Sequence, residues 1–181
     1  MNTAHTLEQF LKDVERRAYR MAIIATGRQD EALDIVQDAM LKLVKRYRDR
    51  EPQEWGALFT RILQTTIRDW YRRNTVRQRV WGFFGTAQNE SDDGEFPWQT
   101  MEDKHSVNPE QQTKQQQAMA VLEKVLHDLP LRQQQVFLLR QWEGLDTAQT
   151  ARAMGCSEGS VKTHYSRAIQ RLREQLQGTW P

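Results

Sequence analysis

Six arginines and one acid, Asp69, lie between Arg61 and Trp81. Wound into a helix, Arg61, Gln64, Arg68, Tyr71, Arg72, Thr75 and Arg79 fall on one side. A guanidinium stripe of that length suits a row of phosphates, and Tyr71 within it offers a ring on which an unstacked base can rest. Nearer the C-terminus, Lys162, Thr163, Ser166, Arg167 and Gln170 project from one helical face, opposite Val161, Tyr165, Ala168 and Leu172. Short hydroxyls beside long cations suit base edges and phosphates. A third group is acidic: Asp30, Glu31, Asp34 and Asp38 descend one flank of a helix, with Ile35 read as exposed among them. An apolar side chain amid acids can anchor a basic, partly apolar partner. The same carboxylates make a poor metal box, because no histidine or second carboxylate cluster accompanies them. No metal and no cofactor is expected.

The elements that must position these groups are helical throughout. Glycine and proline almost vanish from about Thr6 to Trp81 and from about Asn108 to Gln177, and both stretches carry helical rather than alternating periodicity. In the first, Leu33, Val36, Met40, Val44 and Tyr47 are read as the inward stripe. Pro52 breaks that helix, and a new one should begin nearby. Its apolar side is Trp55, Leu58, Phe59, Ile62, Thr66 and Trp70, which assigns Trp70 to the core and Tyr71 to nucleic acid. Asn108-Pro109 opens another helix. Further on, a short helix from about Thr147 to Met154 is followed by Gly155-Cys156-Ser157 and a longer helix, with Ser157 or Ser160 as its cap. Glycine there supplies the positive φ of a sharp reversal. The pattern is a helix-turn-helix, whose second helix enters a DNA major groove.

The fold class is therefore all-α, in two small domains: residues 1–81 and 109–181, joined by a flexible acidic linker over 82–108. Six acids and no base lie between Gln88 and Asp103, against an overall net charge of only +2. Such block asymmetry suits a chain that meets an acidic partner with one face. The linker could also mask the arginine stripe in the absence of a partner. A single cysteine, Cys156, allows no internal disulfide and suggests a reducing compartment. It is most simply a small buried residue of the turn. No signal-peptide run opens the chain, and no stretch approaches about 18 consecutive apolar residues, so a soluble cytoplasmic protein without membrane insertion is expected. Four scattered histidines, no HExxH, no metal-spaced cysteines and no glycine-rich phosphate loop point away from an enzyme.

The run from Leu126 to Leu176 resembles the fourth conserved region of bacterial sigma factors: Leu129-Pro130, a helix ending in Trp142-Glu143-Gly144-Leu145, then the helix-turn-helix with Arg167-Ala168 late in its second helix. The resemblance implies that Ser160, Lys162, Thr163, His164, Ser166 and Arg167 read the promoter element near minus thirty-five. His164 stands where the family often has arginine. DEALDIVQDAMLKLVKRY is similar to the family's helix for the polymerase clamp, which implies a polymerase-binding set of Asp30, Glu31, Asp34, Ile35, Gln37 and Asp38. WGALFTRILQTTIRDWYRRN resembles the minus-ten recognition and melting segment, implying DNA contact by Arg61, Gln64, Thr65, Arg68, Tyr71, Arg72, Arg73 and Arg79. Thr65 replaces the family's common asparagine, which helps hold a flipped base, and the loop from Arg48 to Glu54 lacks the phenylalanine-glycine pattern of relatives.

Both domains without an extended middle one is the layout of the extracytoplasmic-function (ECF) group. The implied partners are core RNA polymerase, promoter DNA and an anti-sigma factor, with the free chain a monomer. The alternative is a response-regulator-like transcriptional regulator, since Ser160 to His164 also resembles that recognition helix. It requires an N-terminal sensing domain, normally of alternating strands and helices, and the N-terminal half has no strand pattern.

Overall fold

The computed structural model describes residues 3–83 and 109–177, and every regular element among them is a helix. These are α1 (Thr3–Thr26), α2 (Gln29–Tyr47), α3 (Pro52–Phe83), α4 (Pro109–Asp128), α5 (Leu131–Gln141), α6 (Thr147–Met154) and α7 (Glu158–Leu176). Residues 84–108 of the expected linker, with its acids, lie outside the described residues, while Gly82 belongs to the last turn of α3.

Helix ends follow local chemistry. Gly27, at φ 68°, donates its N–H to the Ile23 carbonyl (2.8 Å) and stops α1. Pro52 supplies the first residue of α3, where its missing N–H costs nothing. The Trp55 indole donates to the Tyr47 carbonyl (3.1 Å), fixing the angle between α2 and α3. Phe10 of α1 packs against the Trp55 and Phe59 rings, with centroids 5.9 and 6.1 Å away.

The inward face of α2 differs from the sequence reading. Ala32, Ile35, Val36, Ala39 and Leu43 are its buried residues. Ile35 is 3% exposed, whereas Leu33 and Leu41 are 50% and 55% exposed. The reason is packing distance. Alanines on α2 face a helix that itself buries Ala18, Ala22 and Ala25. A ridge of small side chains lets two helix axes approach closely, and Ile35 fills that seam. A stripe drawn through the largest apolar residues misses it.

In the second half, Leu126, Leu129, Val136, Leu138 and Leu139 pack with Ala151, Ala153, Met154, Val161, Ala168 and Leu172. A capping box opens α6: the Asp146 carboxylate accepts from the Gln149 N–H (2.7 Å), and the Gln149 side chain accepts from the Asp146 N–H (2.9 Å). Gly155, at φ 63°, ends α6 in the left-handed conformation, and the Cys156 N–H reaches back to the Ala151 carbonyl at 3.1 Å. Ser157 then caps α7 by accepting from the Ser160 N–H (3.1 Å).

The two halves touch: α3 lies against α6, and α1 against α4 and α5. Three consecutive glutamines of α5, Gln133 to Gln135, are buried at this joint and within the second half. Replacing Ile35 with alanine should cost about 2–4 kcal/mol in urea unfolding, while Leu33→Ala should stay within about 0.5 kcal/mol. Equal losses at the two positions would contradict the packing described.

Candidate nucleic-acid and partner interfaces

On α3, one side carries the core residues Trp55, Phe59, Leu63 and Ile67, and the other carries the cations. Arg61, Arg72, Arg73 and Arg79 are exposed, Tyr71 is 43% exposed, and Thr65 and Arg68 are half-buried. None of these arginines forms an ion pair among the described residues. The Arg68 Nε is buried without a hydrogen-bond partner. A guanidinium stripe without an ion pair among the described residues is set to exchange its counterions for phosphates.

Gln64 does not belong to that stripe. It is 3% exposed, its side-chain amide points to the Met21 sulfur (3.5 Å), and its carbonyl accepts from the Gln135 side chain (3.1 Å). The helical wheel placed it correctly in angle but could not include α1 and α5, which close over that position. Trp70 is half-buried and donates its indole N–H to Glu31 Oε2 (2.7 Å), tying α3 to α2. Trp70 is thus structural, as its place on the apolar stripe suggested, and one carboxylate oxygen of Glu31 is committed to it.

The acidic face of α2 is reordered by the burial of Ile35. Asp30, Leu33, Asp34, Gln37 and Leu41 are all exposed, and each lies three or four residues from another of the set, so they share one face. Leu33, Gln37 and Leu41 form a single row four residues apart, opposite the core. The apolar anchor among the acids is therefore the Leu33–Leu41 pair. That spacing was present in the sequence and would have revealed it. Asp30 pairs with Arg28 (3.0 Å), and its carboxyl is held below the usual range mainly by the Glu31 N–H and then by Arg28. Asp38 pairs with Lys42 at 2.7 Å.

The second helix of the helix-turn-helix is α7. Lys162, Thr163, Ser166 and Arg167 are exposed along it, opposite the buried Val161, Ala168 and Leu172. Two hydroxyls are already engaged. Thr163 Oγ1 donates to the Gly159 carbonyl (3.1 Å), and the Ser160 hydroxyl lies 2.9 Å from that of Ser157 at the cap. Tyr165, half-buried, is held by Gln141 and stacks under Arg140 at 5.7 Å. His164 is half-buried, and burial, then Arg132 and Arg167, push its pKa below the ordinary histidine value. It is neutral at neutral pH and offers no cation where an arginine would.

Comparison with known proteins assigns both halves. Residues 6–77 match the family described as Sigma-70 region 2, and residues 119–172 match Sigma-70, region 4. The RNA polymerase sigma-E factor of Streptomyces coelicolor is 31% identical over 147 residues, covering 81% of this chain and 72% of its own. The chain belongs to the ECF sigma factors. Within that group, the ECF RNA polymerase sigma factor SigD of Mycobacterium tuberculosis is 30% identical over 86 residues, 46% of this chain and 41% of its own. The sigma factor RpoE of Bartonella quintana, solved in complex with the anti-sigma factor NepR, shares the fold at a TM-score of 0.62, with 24% identity over 94% of this chain and 96% of that one. In this member of the group no helix among the described residues is long and apolar enough to cross a membrane.

The His164 shift gives a direct check. In an NMR titration of the full chain, His164 should titrate below the ordinary histidine value of about 6.5. Arg167→Ala should move it upward by removing one neighbouring cation. A midpoint at or above the ordinary value would refute the burial described for this side chain.

Proposed function

We propose that this sigma factor binds core RNA polymerase through the exposed α2 stripe of Asp30, Leu33, Asp34, Gln37 and Leu41. It then directs initiation by reading the minus-ten element with α3 and the minus-thirty-five element with α7. The observation that carries this reading is the division of charge. Two cationic helix faces without ion pairs among the described residues sit on the two matched regions of one chain, and a separate acidic row with apolar anchors sits on α2. An acidic stripe of that kind repels DNA and suits a basic protein surface. Arg61, Arg68, Arg72, Arg73 and Arg79 hold the backbone near minus ten, with Tyr71 positioned for a base that has left the stack. Thr65 donates and accepts through one short hydroxyl, where an asparagine presents its acceptor oxygen and donor NH2 on two separate atoms, so the base preference at that pocket differs from that of asparagine-bearing relatives.

At minus thirty-five, Lys162 and Arg167 supply the long cations and Ser166 a free short hydroxyl. Such a protein works in the cytoplasm and, by extension from the RpoE–NepR pair, is held in check by an anti-sigma factor covering these surfaces.

Two paired variants separate the roles. Lys162→Ala with Arg167→Ala should lower minus-thirty-five-dependent run-off transcription by roughly 10- to 100-fold and leave capture of core polymerase unchanged. Leu33→Ala with Leu41→Ala should do the converse, weakening capture at least tenfold without unfolding the chain. Undiminished capture by the leucine pair would rule out the α2 assignment.

A further inference from the structure

Three guanidinium groups gather where α5 meets α3. Gln135 of α5 donates through Nε2 to the Gln64 carbonyl (3.1 Å) and accepts through Oε1 from Arg132 Nη1 (3.3 Å), so Arg132 stands beside α3 at the level of Gln64. A second bond from Arg132 Nη1, to the Met154 carbonyl at 3.1 Å, fixes it there. Arg68 follows one turn along α3 from Gln64, and Arg72 one turn further, about 6 Å along the axis. Burial and the neighbouring charges of Arg68 and Arg72 hold Arg132 below its usual pKa, as expected of cations within reach of one another. His164 of α7 is close enough to Arg132 to be lowered in turn, after its own burial.

We propose that Arg68, Arg72 and Arg132 form a binding site for an oligophosphate, a di- or triphosphate chain gripped between α3 and α5. What points to a ligand is an unmet demand. The Arg68 Nε–H is buried without a hydrogen-bond partner, and none of the three cations has an ion pair among the described residues. A buried donor without an acceptor is costly, and like charges on two packed helices repel until an anion comes between them. The planar guanidinium fork matches phosphate oxygens two at a time. Two forks one turn apart, with a third on the facing helix, suit the several charges of a phosphate chain better than a single phosphate or carboxylate. Two residues beyond the carbonyl that holds Arg132, Cys156 lines an open cleft of about 510 Å³ with Arg61 and Arg152. That cleft admits solvent beside the site and has room for a nucleoside carried on the chain.

Occupancy of this site has a consequence for promoter reading. Arg68 and Arg72 belong to the α3 face assigned to the DNA backbone, so a phosphate chain held there takes the place of promoter phosphates and competes with them. That consequence rests on the sigma-factor reading above, whereas the site itself rests only on the three arginines and their surroundings.

The test is calorimetric titration of the full chain at fixed ionic strength with tripolyphosphate, ATP and orthophosphate. Tripolyphosphate should bind one to one and at least tenfold more tightly than orthophosphate. Arg68→Gln should weaken it at least tenfold, and Arg132→Lys, which keeps the charge but loses the fork, several-fold. Arg79→Gln, two turns beyond Arg72 on the same stripe, should leave the affinity unchanged. In NMR, tripolyphosphate should raise the His164 midpoint by about 0.5 or more, because a nearby anion favours the imidazolium. ATP binding as tightly as tripolyphosphate assigns the site to the tail of a nucleotide, and ATP binding at least tenfold more weakly assigns it to inorganic chains; both results support the site. Equal weakening by Arg68→Gln and Arg79→Gln would reduce the effect to general attraction by a basic stripe and overturn the proposal. So would orthophosphate binding as tightly, or a His164 midpoint that tripolyphosphate leaves in place. If tripolyphosphate binds as described yet fails to displace a promoter duplex, the DNA role of Arg68 and Arg72 is what fails, not the site.

Discussion

Everything distinctive about this protein depends on α3 having two incompatible sides. Trp55, Phe59, Leu63 and Ile67 lock one side into the first helical bundle, and the register they impose turns Arg61, Arg72, Arg73 and Arg79 outward, with no acid paired to them among the described residues. Unpaired guanidinium groups are tolerable only while they remain hydrated or find an anionic partner. Helix α6 packs against α3, and Gln135 of α5 donates to the Gln64 carbonyl, but neither supplies these cations with an ion pair. DNA is the partner that would neutralise them.

The anchoring of α2 follows from the same bundle. Its alanine ridge packs against the alanines of α1 and draws Ile35 inside, so Leu33 and Leu41 are the residues left in water. Two large aliphatic side chains half exposed in a row with Asp30, Asp34 and Gln37 carry a standing hydration cost that a partner surface would remove. On the proposed assignment, the acids of that row repel nucleic acid, which would separate protein recognition from DNA recognition along a single 81-residue stretch.

Much of this was legible in the sequence where local chemistry decides. The helical class, the break at Pro52, the span of α6 and the reversal at Gly155 were all readable, because caps and positive-φ glycines act over three or four residues. The family itself was legible from the Leu129-Pro130 entry and the acidic-glutamine helix. Illegible were the features decided by distant packing. Ile35 and Leu33 exchanged places because alanine was not counted as core. Gln64 left the basic stripe because α1 and α5 close over it, and no wheel drawn for α3 alone contains those helices. The protonation of His164 was equally hidden, since Arg132 lies 32 residues earlier in the chain and reaches it only through the fold.

The account's central claim is that these cationic faces serve a promoter only in company with polymerase. The most direct measurement is the affinity of the chain for one duplex bearing both promoter elements, by fluorescence anisotropy at physiological salt, alone and after assembly with core polymerase. The account predicts weak binding by the free chain with little preference over a scrambled duplex, and tight, sequence-dependent binding by the assembly. Tight and specific binding by the free chain, unchanged when polymerase is added, would contradict it and support a stand-alone regulator.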